Sequence, residues 1–424
     1  MRVLKSIELY LKYSANQVIE TDGIIDVGCG IYPCYYYRCK QKLYVSTSVL
    51  ALIEHLGNFK KNTNFKPRDF YNNPPRAYYK SRFRNIFINI NTKSWLKQKA
   101  LHGLHVFLKK ISKVIKFNII DFLFKVEYVK EADWHFDYQT IDKRIIKLKA
   151  FEEVTINKSR CHLTYKPLTD SKEIIINKAA KLISNYINDI EKAYPNHHHV
   201  ILTGGMDSQL IWLAPKLDKA KWSCFTSEPN VQVVSKWLKL NGIKPIHFFK
   251  HEDDNKDTLE VLKRKTMCSD LFSDMSHLRW MPKMKEIACQ FDNKVIFWGG
   301  TAADAIFKYY PDFHKNKNTF YKLHAERVAS FQGNYHQVFK NYTDCPYLSP
   351  YHSEEIWRDL FLKMDPLFIK SDGDVRKILG EIIASRQVEW VDENPSPKAY
   401  KYNFEFDPVV YYETYIIEKL ELVN

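Results

Sequence analysis

A glycine turn in the second half of the chain decides the fold: Val200-Ile201-Leu202-Thr203-Gly204-Gly205-Met206-Asp207-Ser208-Gln209-Leu210. The apolar residues before the glycines predict a short buried strand, and the residues from Asp207 onwards predict a helix. Glycines let the backbone approach an anion closely, and a helix N-terminus adds positive potential. The turn is therefore a candidate phosphate site.

The side chains of this turn favour nucleotide chemistry of a particular kind. Thr203 and Ser208 supply hydroxyl donors, and Asp207 supplies a carboxylate able to hold Mg²⁺. The turn lacks the lysine of a Walker motif, which excludes a kinase-type γ-phosphate loop. The alternative is an ordinary glycine turn capped by Asp207 and Ser208. The whole pattern, standing between a strand and a helix, favours the phosphate site.

The sequence around the turn alternates between helix and strand patterns. This alternation predicts a doubly wound α/β sheet with parallel strands. The first half of the chain instead shows short strands, a helix at Val49–Leu56 and a second predicted helix from Trp95 to about Lys116. The composition turns polar around Lys166–Ser171. We therefore expect two domains, 1–168 and 169–424. The predicted elements include strands Gly23–Gly28, Lys42–Thr47, Ile145–Leu148, Glu153–Ile156, His199–Leu202, Trp222–Thr226 and Ile243–Phe249, and helices Val49–Leu56, Ile174–Tyr194, Asp207–Pro215 and Val231–Leu240.

Composition limits the class of protein. The 424 residues are 45% hydrophobic and 27% charged, which is enough apolar material for folded cores. No run of about 18 uncharged apolar residues exists, so no transmembrane helix is expected. The first residues lack the apolar core of a secretory signal, and eight cysteines are too few for a disulfide scaffold. We expect a cytoplasmic protein.

Nearly all of the net charge of +15 lies in one segment. Between Gly57 and Lys116 there are fifteen Lys or Arg and one acid, Asp69, interleaved with aromatic residues. Such a segment can follow phosphates while its rings stack on bases. A solvated lysine-rich face, or a surface for anionic lipid or acidic glycan, are the alternatives.

Three other patterns are less specific. Cys29, Cys34 and Cys39 lack a fourth zinc ligand, so we expect buried free thiols. His197-His198-His199 is interpreted as a loop entering a strand, because adjacent strand residues point to opposite faces. Ile25-Asp26-Val27-Gly28-Cys29-Gly30 looks like the opening motif of S-adenosylmethionine methyltransferases, but the helix and the acidic strand end that this motif needs do not follow.

The turn Thr203–Ser208 resembles the PP-loop of the ATP-pyrophosphatase superfamily, Ser-Gly-Gly-x-Asp-Ser, with threonine in place of the first serine. Later segments are similar to those of the asparagine synthetase family within that superfamily. These segments are Asp274-Met275-Ser276-His277-Leu278-Arg279, the second loop Phe297–Phe307, Tyr347-Leu348-Ser349-Pro350-Tyr351 and Asp374-Val375-Arg376-Lys377-Ile378-Leu379. Gly30–Tyr37, Ser46–Leu52 and Thr140–Leu148 look like pieces of that family's glutaminase domain.

This resemblance implies a fold and a set of site residues. The C-terminal domain would be an α/β PP-loop domain with a parallel sheet, like the adenine nucleotide α-hydrolases. The N-terminal domain would be an α+β, degenerate class II glutamine amidotransferase domain of the Ntn-type glutaminase fold, with a basic insertion at 58–116. The implied cofactors are ATP and Mg²⁺. The nucleotide-binding residues would be Leu202, Thr203, Gly204, Gly205, Asp207, Ser208, Phe225, Arg279, Gly299 and Gly300; the Mg²⁺ ligands Asp207 and Asp304; and the catalytic residues Asp207, Asp304, Arg376 and Lys377.

Two departures from the family pattern shape the expected activity. Arg2 stands where the family has its nucleophilic cysteine, so no glutamine hydrolysis is expected. Thr301 stands at the place of the catalytic glutamate of the second loop. His277 is a candidate general base only because of its position in the sequence, and the alternative is a histidine packed in the core.

The resemblance implies a ligase that adenylates a substrate carboxylate, releases AMP and pyrophosphate and transfers the acyl group to an amine. The basic segment suggests a large anionic partner, such as a nucleic acid, a peptide or an acidic glycan precursor. Three alternatives stay open: a PP-loop enzyme that modifies a nucleic-acid base, an inactive synthetase-like binding protein and a methyltransferase.

Overall fold

The computed structural model of the protein describes residues 3–13, 16–28, 32–63, 65, 77–81, 87–89, 124–128, 140–149, 151–161, 172–251, 258–271, 280–301, 303–307, 335–356, 375–391 and 408–422. The chain forms two compact units, one of Met1–Lys66 with Tyr138–Asn424 and one of Pro67–Asp137. The domain boundary expected at residue 168 falls within the first unit and stays a prediction. Within the described ranges, no helix is long and apolar enough to cross a membrane.

Sixteen strands form four sheets in the described part of the chain. The strand bounds are β1 Val3–Lys5, β2 Ile19–Thr21, β3 Ile24–Asp26, β4 Tyr35–Cys39, β5 Lys42–Ser46, β6 Ala77–Ser81, β7 Phe87–Asn89, β8 Phe124–Tyr128, β9 Ile146–Lys147, β10 Glu152–Val154, β11 Ser159–Cys161, β12 His198–Leu202, β13 Trp222–Ser227, β14 Phe248–His251, β15 Val295–Trp298 and β16 Tyr347–Leu348.

The helices include one long one and several short ones. They cover Ser6–Lys12, Val49–Leu56, Lys172–Ala193, Met206–Leu213, Val231–Leu240, Leu259–Ser269, Met281–Gln290, Ala303–Phe307, 335–343, Glu354–Ile356, Val375–Ala384 and Pro408–Glu421, with 3₁₀ turns at Lys219–Lys221 and Pro350–His352.

The N-terminal strands build two four-stranded sheets that share a core. One sheet is mixed, in the order β1-β3-β10-β11, and the other is antiparallel, in the order β2-β5-β4-β9. Ile25 and Val154 of the first sheet pack with Tyr36 and Val45 of the second, because alternate side chains of a strand share a face. The strand patterns predicted for this half are confirmed within a few residues at each end.

Helix Val49–Leu56 covers the other face of the antiparallel sheet, where Tyr35 and Tyr37 lie. Ser48 caps its N-terminus and Gly57 ends it at φ +66°, in the left-handed region that glycine adopts most readily. Both ends of this helix were predicted.

The second unit contains a three-stranded antiparallel sheet with β6 between β7 and β8. The unit spans Pro67–Asp137 and overlaps most of the basic segment, many of whose residues lie outside the described ranges, as does the helix predicted from Trp95 to about Lys116.

The five-stranded sheet is parallel throughout, in the order β14-β13-β12-β15-β16. Alternate residues of its strands supply two cores. One face packs Ile201, Cys224 and Trp298 against helices that include Lys172–Ala193, and the other packs Val200 against helices that include Met281–Gln290. The predicted α/β class with a parallel sheet is confirmed.

Two sequence expectations need correction. The strand predicted at Ile243–Phe249 is shorter and later, at Phe248–His251, because the helix before it ends in a turn at Asn241–Gly242, with Gly242 at φ +65°, and the chain is irregular from Ile243 to His247. Cys39 is exposed at the end of β4, whereas Cys34 is buried as expected. The element that follows the Gly28 turn within the described residues is strand β4, where a methyltransferase motif would need a helix.

A buried carboxylate joins the two halves of the first unit. Asp270 accepts hydrogen bonds from the Val49 N–H (2.9 Å), the Tyr412 hydroxyl (2.5 Å) and the Gln337 amide. Asp270 thus links the N-terminus of helix Val49–Leu56 to helix Pro408–Glu421 and to helix 335–343. Burial raises the pKa of Asp270 to about 6, although these donors oppose the rise.

This raised pKa predicts a pH-dependent stability. The folded state holds the Asp270 proton more tightly than the unfolded state, so its contribution is full below about pH 4 and is lost as pH rises through about 6. The free energy of unfolding of wild type minus that of Asp270→Asn should fall by roughly 2 kcal/mol between pH 4 and pH 7. Urea unfolding of both proteins across this range measures the difference, and a flat difference would contradict the prediction.

Candidate nucleotide site

The first glycine turn lies at the carboxyl end of β12, as predicted. Gly205 is the N-cap of helix Met206–Leu213 and has no side chain to satisfy the first N–H groups of the helix. The Ser208 hydroxyl donates to the Gly205 carbonyl (2.8 Å) and accepts from the Gly204 N–H (3.2 Å). These bonds close the turn on itself and leave its helix N-terminus for an anion.

The Thr203 hydroxyl is engaged inside the protein. It donates to the Ile201 carbonyl (3.3 Å) and accepts from the Trp212 indole N–H (2.9 Å) and the Cys224 thiol (3.5 Å). The hydroxyl groups of Thr203 and Ser208, expected as donors to a ligand, therefore shape the turn in this structure, since both side chains are buried.

Asp207 and Arg376 meet from distant parts of the chain. Arg376 Nη1 lies 2.5 Å from Asp207 Oδ1, and both side chains stay partly exposed. The Tyr351 hydroxyl donates to the Asp207 carbonyl at 2.8 Å. Lys377 follows on the same helix, Val375–Ala384, and is partly exposed. Two residues that the sequence predicted separately thus form one charged pair beside the turn.

The second glycine loop follows β15 and packs directly on the first. A Cβ atom on Gly300 would lie 2.5 Å from the carbonyl carbon of Asp207 and from the Ser208 nitrogen. A Cβ atom on Gly299 would overlap the Tyr347 hydroxyl group. Both positions therefore require glycine because of the close approach of their neighbours, a requirement that the sequence alone does not reveal.

The remaining predicted residues are placed less completely. Asp304 is the second residue of helix Ala303–Phe307, directly after the second loop, and its side chain is outside the described part of the structure. Arg279 and His277 fall in 272–279, also outside the described residues. Leu202 ends β12 and pairs with Phe225 of β13.

Phe225 contributes to the core. It is buried and packs in the cluster of Val200 and Phe297, on one face of the sheet. The next residue, Thr226, is buried too, and its hydroxyl has no hydrogen-bond partner in the described structure. The Asn230 amide oxygen is likewise buried and unpaired within the described residues, and its amide nitrogen would lie 3.9 Å from a Cβ on Gly204. Unpaired buried polar atoms are rare and mark ligand sites or bound water.

The strand order gives the site its position. From β12 the chain proceeds to β13 and β14 on one side and then returns to β15 and β16 on the other. The switch point lies between β12 and β15, and ligands of such sheets bind outside the carboxyl ends of the strands at this point. Both glycine loops are located there.

Sequence reasoning missed a buried pair of histidines near the second loop. His352 Nε2 lies 3.2 Å from the Thr301 hydroxyl, and His352 Nδ1 lies 2.6 Å from His336 Nε2. Burial lowers the pKa of His336 to about 3 and holds the pKa of His352 well below its ordinary value. The only available signal was the position of His352, directly after the family-like segment that ends at Tyr351.

The first two residues of β12, both histidines, point to opposite faces of the sheet, as predicted. His198 stacks on Phe291 and bonds Ser223, whereas His199 accepts from the Trp298 indole on the other face. Across the described ranges, no group of three or more His, Cys, Asp or Glu residues is placed to hold a metal ion. A Mg²⁺ ion bound with a nucleotide needs only one or two carboxylates plus phosphate oxygens, so Asp207 fits such a role.

No protein-family model matches the chain, and no curated protein is similar to it.

The contact between the loops predicts a position-specific effect of alanine. Gly300→Ala should lower the free energy of unfolding by roughly 1–3 kcal/mol, because the added methyl group meets backbone that cannot move aside. Gly204→Ala is the matched control in the other loop, where the space is open, and should change stability by less than about 1 kcal/mol. Equal effects in urea unfolding would show that the loops are not in contact.

Proposed function

We propose that the protein is an ATP-dependent ligase that adenylates a carboxylate and transfers the acyl group to an amine. The observation that carries the proposal is the pair of glycine loops at the switch point of a parallel sheet, with Asp207 and Arg376 beside them. The sequence resemblance to asparagine synthetase-like proteins of the PP-loop superfamily supplies the reaction class. We also propose the PP-loop fold for the parallel-sheet part and a glutaminase-like Ntn fold for the N-terminal sheets.

The phosphates of ATP would lie at the N-terminus of helix Met206–Leu213, where Gly205 leaves the N–H groups uncapped. The Thr226 hydroxyl and the Asn230 amide oxygen, both buried and without a hydrogen-bond partner in the described structure, would bind polar groups of the nucleoside. Arg376 would bind a phosphate through its planar guanidinium, with Lys377 as a second cation.

Asp207 and Asp304 would hold Mg²⁺. Asp207 fits this role because its carboxylate is partly exposed beside the glycine turn, where it pairs with the Arg376 guanidinium. When bound, the ion would neutralise charge on the departing pyrophosphate. Binding of a nucleotide would replace the contact between Asp207 and Arg376 with contacts from each to the ligand.

The proposed reaction has two steps. A substrate carboxylate oxygen attacks the α-phosphorus of ATP, the bond to the β-phosphate oxygen breaks, and pyrophosphate leaves. An amine then attacks the acyl carbon, the bond to the AMP oxygen breaks, and amide, AMP and one proton are released. Arg2 in place of a cysteine nucleophile supports direct use of the amine without glutamine hydrolysis.

The basic segment favours a large anionic substrate or partner. Fifteen positive residues between Gly57 and Lys116 provide long-range attraction to phosphate or carboxylate groups. Much of this segment falls in the second unit, which contains its own small sheet. A nucleic acid, a peptide or an acidic glycan precursor would each be such a partner. Treating the cell extract that supplies the substrate with nuclease or with protease distinguishes these classes, because only the matching treatment removes the substrate.

The reaction class is tested by the position of bond cleavage in ATP. ATP labelled at the α and γ positions is incubated with the protein, Mg²⁺ and cell extract, and wild type should release AMP and pyrophosphate only when extract is present. Asp207→Asn should lower AMP release at least ~100-fold, because it removes a carboxylate that stabilises the departing pyrophosphate. Asp189→Asn, at an exposed helix carboxylate, is the matched control and should react like wild type.

Other products identify the competing functions. AMP release that disappears after nuclease treatment of the extract would indicate nucleic-acid base modification. ATP binding without turnover would indicate a synthetase-like binding protein, and ADP as product would overturn the ligase proposal.

A second variant separates ligand binding from stability. Thr226→Val removes a buried hydroxyl without a partner in the described structure, so it should stabilise the free protein by about 1 kcal/mol and weaken ATP binding about 2- to 10-fold. Thr47→Val is the control, since Thr47 is equally buried and unpaired within the described ranges but lies after β5. Unfolding midpoints and ATP titration calorimetry give both quantities. Unchanged ATP affinity in Thr226→Val would place the nucleoside elsewhere.

A further inference from the structure

A continuous chain of hydrogen bonds leads from the core to Thr301, directly after the second glycine loop. The Tyr347 hydroxyl donates to Thr301 Oγ1 at 3.3 Å, and His352 Nε2 lies 3.2 Å from the same oxygen. His352 Nδ1 contacts His336 Nε2, and His336 Nδ1 lies 2.6 Å from the Tyr347 carbonyl. Tyr347, His352 and His336 are buried, whereas Thr301 is partly exposed.

One carbonyl fixes the direction of every bond in this chain. The Tyr347 carbonyl can only accept, so His336 must carry its proton on Nδ1. Burial lowers the pKa of both imidazoles and so favours their neutral forms, in which His336 Nε2 is an acceptor and His352 donates to it from Nδ1. His352 Nε2 is then unprotonated and accepts the hydroxyl proton of Thr301.

The Thr301 hydroxyl can therefore make a further hydrogen bond only as an acceptor. Its proton is committed to His352, and one of its two lone pairs accepts from Tyr347. The other lone pair has no partner in the described part of the structure. In this state Thr301 Oγ1 can accept a hydrogen bond and cannot donate one.

The position of Thr301 places this acceptor at the proposed reaction site. The turn Pro350–His352 contacts both loops, because Tyr351 donates to the Asp207 carbonyl and His352 accepts from Thr301. The Ser349 hydroxyl donates to the Thr301 carbonyl at 2.9 Å and fixes its backbone. Thr301 is thus held from three sides beside the switch point.

We propose that Thr301 binds the amine substrate, with its oxygen accepting an N–H bond, and that His352 and His336 are positioning residues that keep this oxygen an acceptor. This inference rests on the proposed function. An amine that donates one N–H to Thr301 directs its own lone pair away from the threonine, which orients it for attack on the acyl carbon. Anionic acceptors, which offer no donor, are disfavoured at this position.

The test uses hydroxylamine as the probe amine. Cell extract depleted of free amines by cation exchange supplies carboxylates, and AMP release is measured as hydroxylamine is titrated. Thr301→Val keeps the shape of the side chain and should raise the KM for hydroxylamine about tenfold with a smaller change in kcat, the effect of one lost hydrogen bond. Thr301→Ser restores the hydroxyl and should return the KM towards wild type.

A control variant and a measurement of ATP–pyrophosphate exchange distinguish failure of the Thr301 role from failure of the proposed function. Thr414→Val, on an exposed helix, should leave the KM unchanged. An unchanged KM in Thr301→Val while wild type releases AMP would overturn the role of Thr301 and leave the proposed function intact. Absence of AMP and of ATP–pyrophosphate exchange in wild type would overturn the proposed function and this role together.

Nitrogen-15 NMR of labelled histidines tests the direction of the chain without any substrate. Long-range proton–nitrogen correlations should show the Nδ1–H form for both His336 and His352, assigned by comparison with His336→Asn and His352→Asn. His352→Asn should also raise the hydroxylamine KM while Thr301→Ser does not. An Nε2–H form of His352 would reverse the chain and contradict the inference.

Discussion

The close approach of two backbone segments organises the candidate site. Gly300 lies so near Asp207 and Ser208 that no side chain fits between them. This contact fixes the separation of the loops that follow β12 and β15. The turn Pro350–His352, which follows β16, is hydrogen-bonded to both loops. The position of Asp207 relative to Arg376 depends on this arrangement, because helix Val375–Ala384 packs against helix Met206–Leu213 and delivers the guanidinium to the turn.

The sequence predicted local structure well where one physical signal dominates. Helix Val49–Leu56 has a capping serine and a terminal glycine, and both ends were placed correctly. The parallel sheet followed from alternating helix and strand patterns, since a parallel pair of strands requires a crossover. The strand at Phe248–His251 begins later than its apolar pattern predicts, because Ile243 and Ile246 are apolar but lie in irregular chain, where periodicity carries no information.

The candidate site was predicted in its residues and only partly in its chemistry. The pattern Thr203–Ser208 located the turn, but a sequence does not reveal that Trp212 and Cys224 engage the threonine hydroxyl. His336 and His352 are 16 residues apart with no motif, and only the fold brings them within 2.6 Å. The resemblance implies Phe225, whereas the alternation of a strand puts its neighbour Thr226 on the opposite face of the sheet.

These observations divide the polar groups of the site into two kinds. Ser208, Thr203 and the Asp207 carbonyl use their hydrogen bonds within the protein and so hold the loops in one shape. Within the described ranges, Thr226, Asn230 and one lone pair of Thr301 keep unused capacity. Desolvating such groups costs free energy unless a hydrogen-bonding partner compensates, and all three lie at or after the carboxyl ends of strands β13 and β15 of the parallel sheet. For the proposed nucleotide, the groups that bond within the protein would determine where the ligand lies, and the groups with unused capacity would determine which chemical groups it must carry.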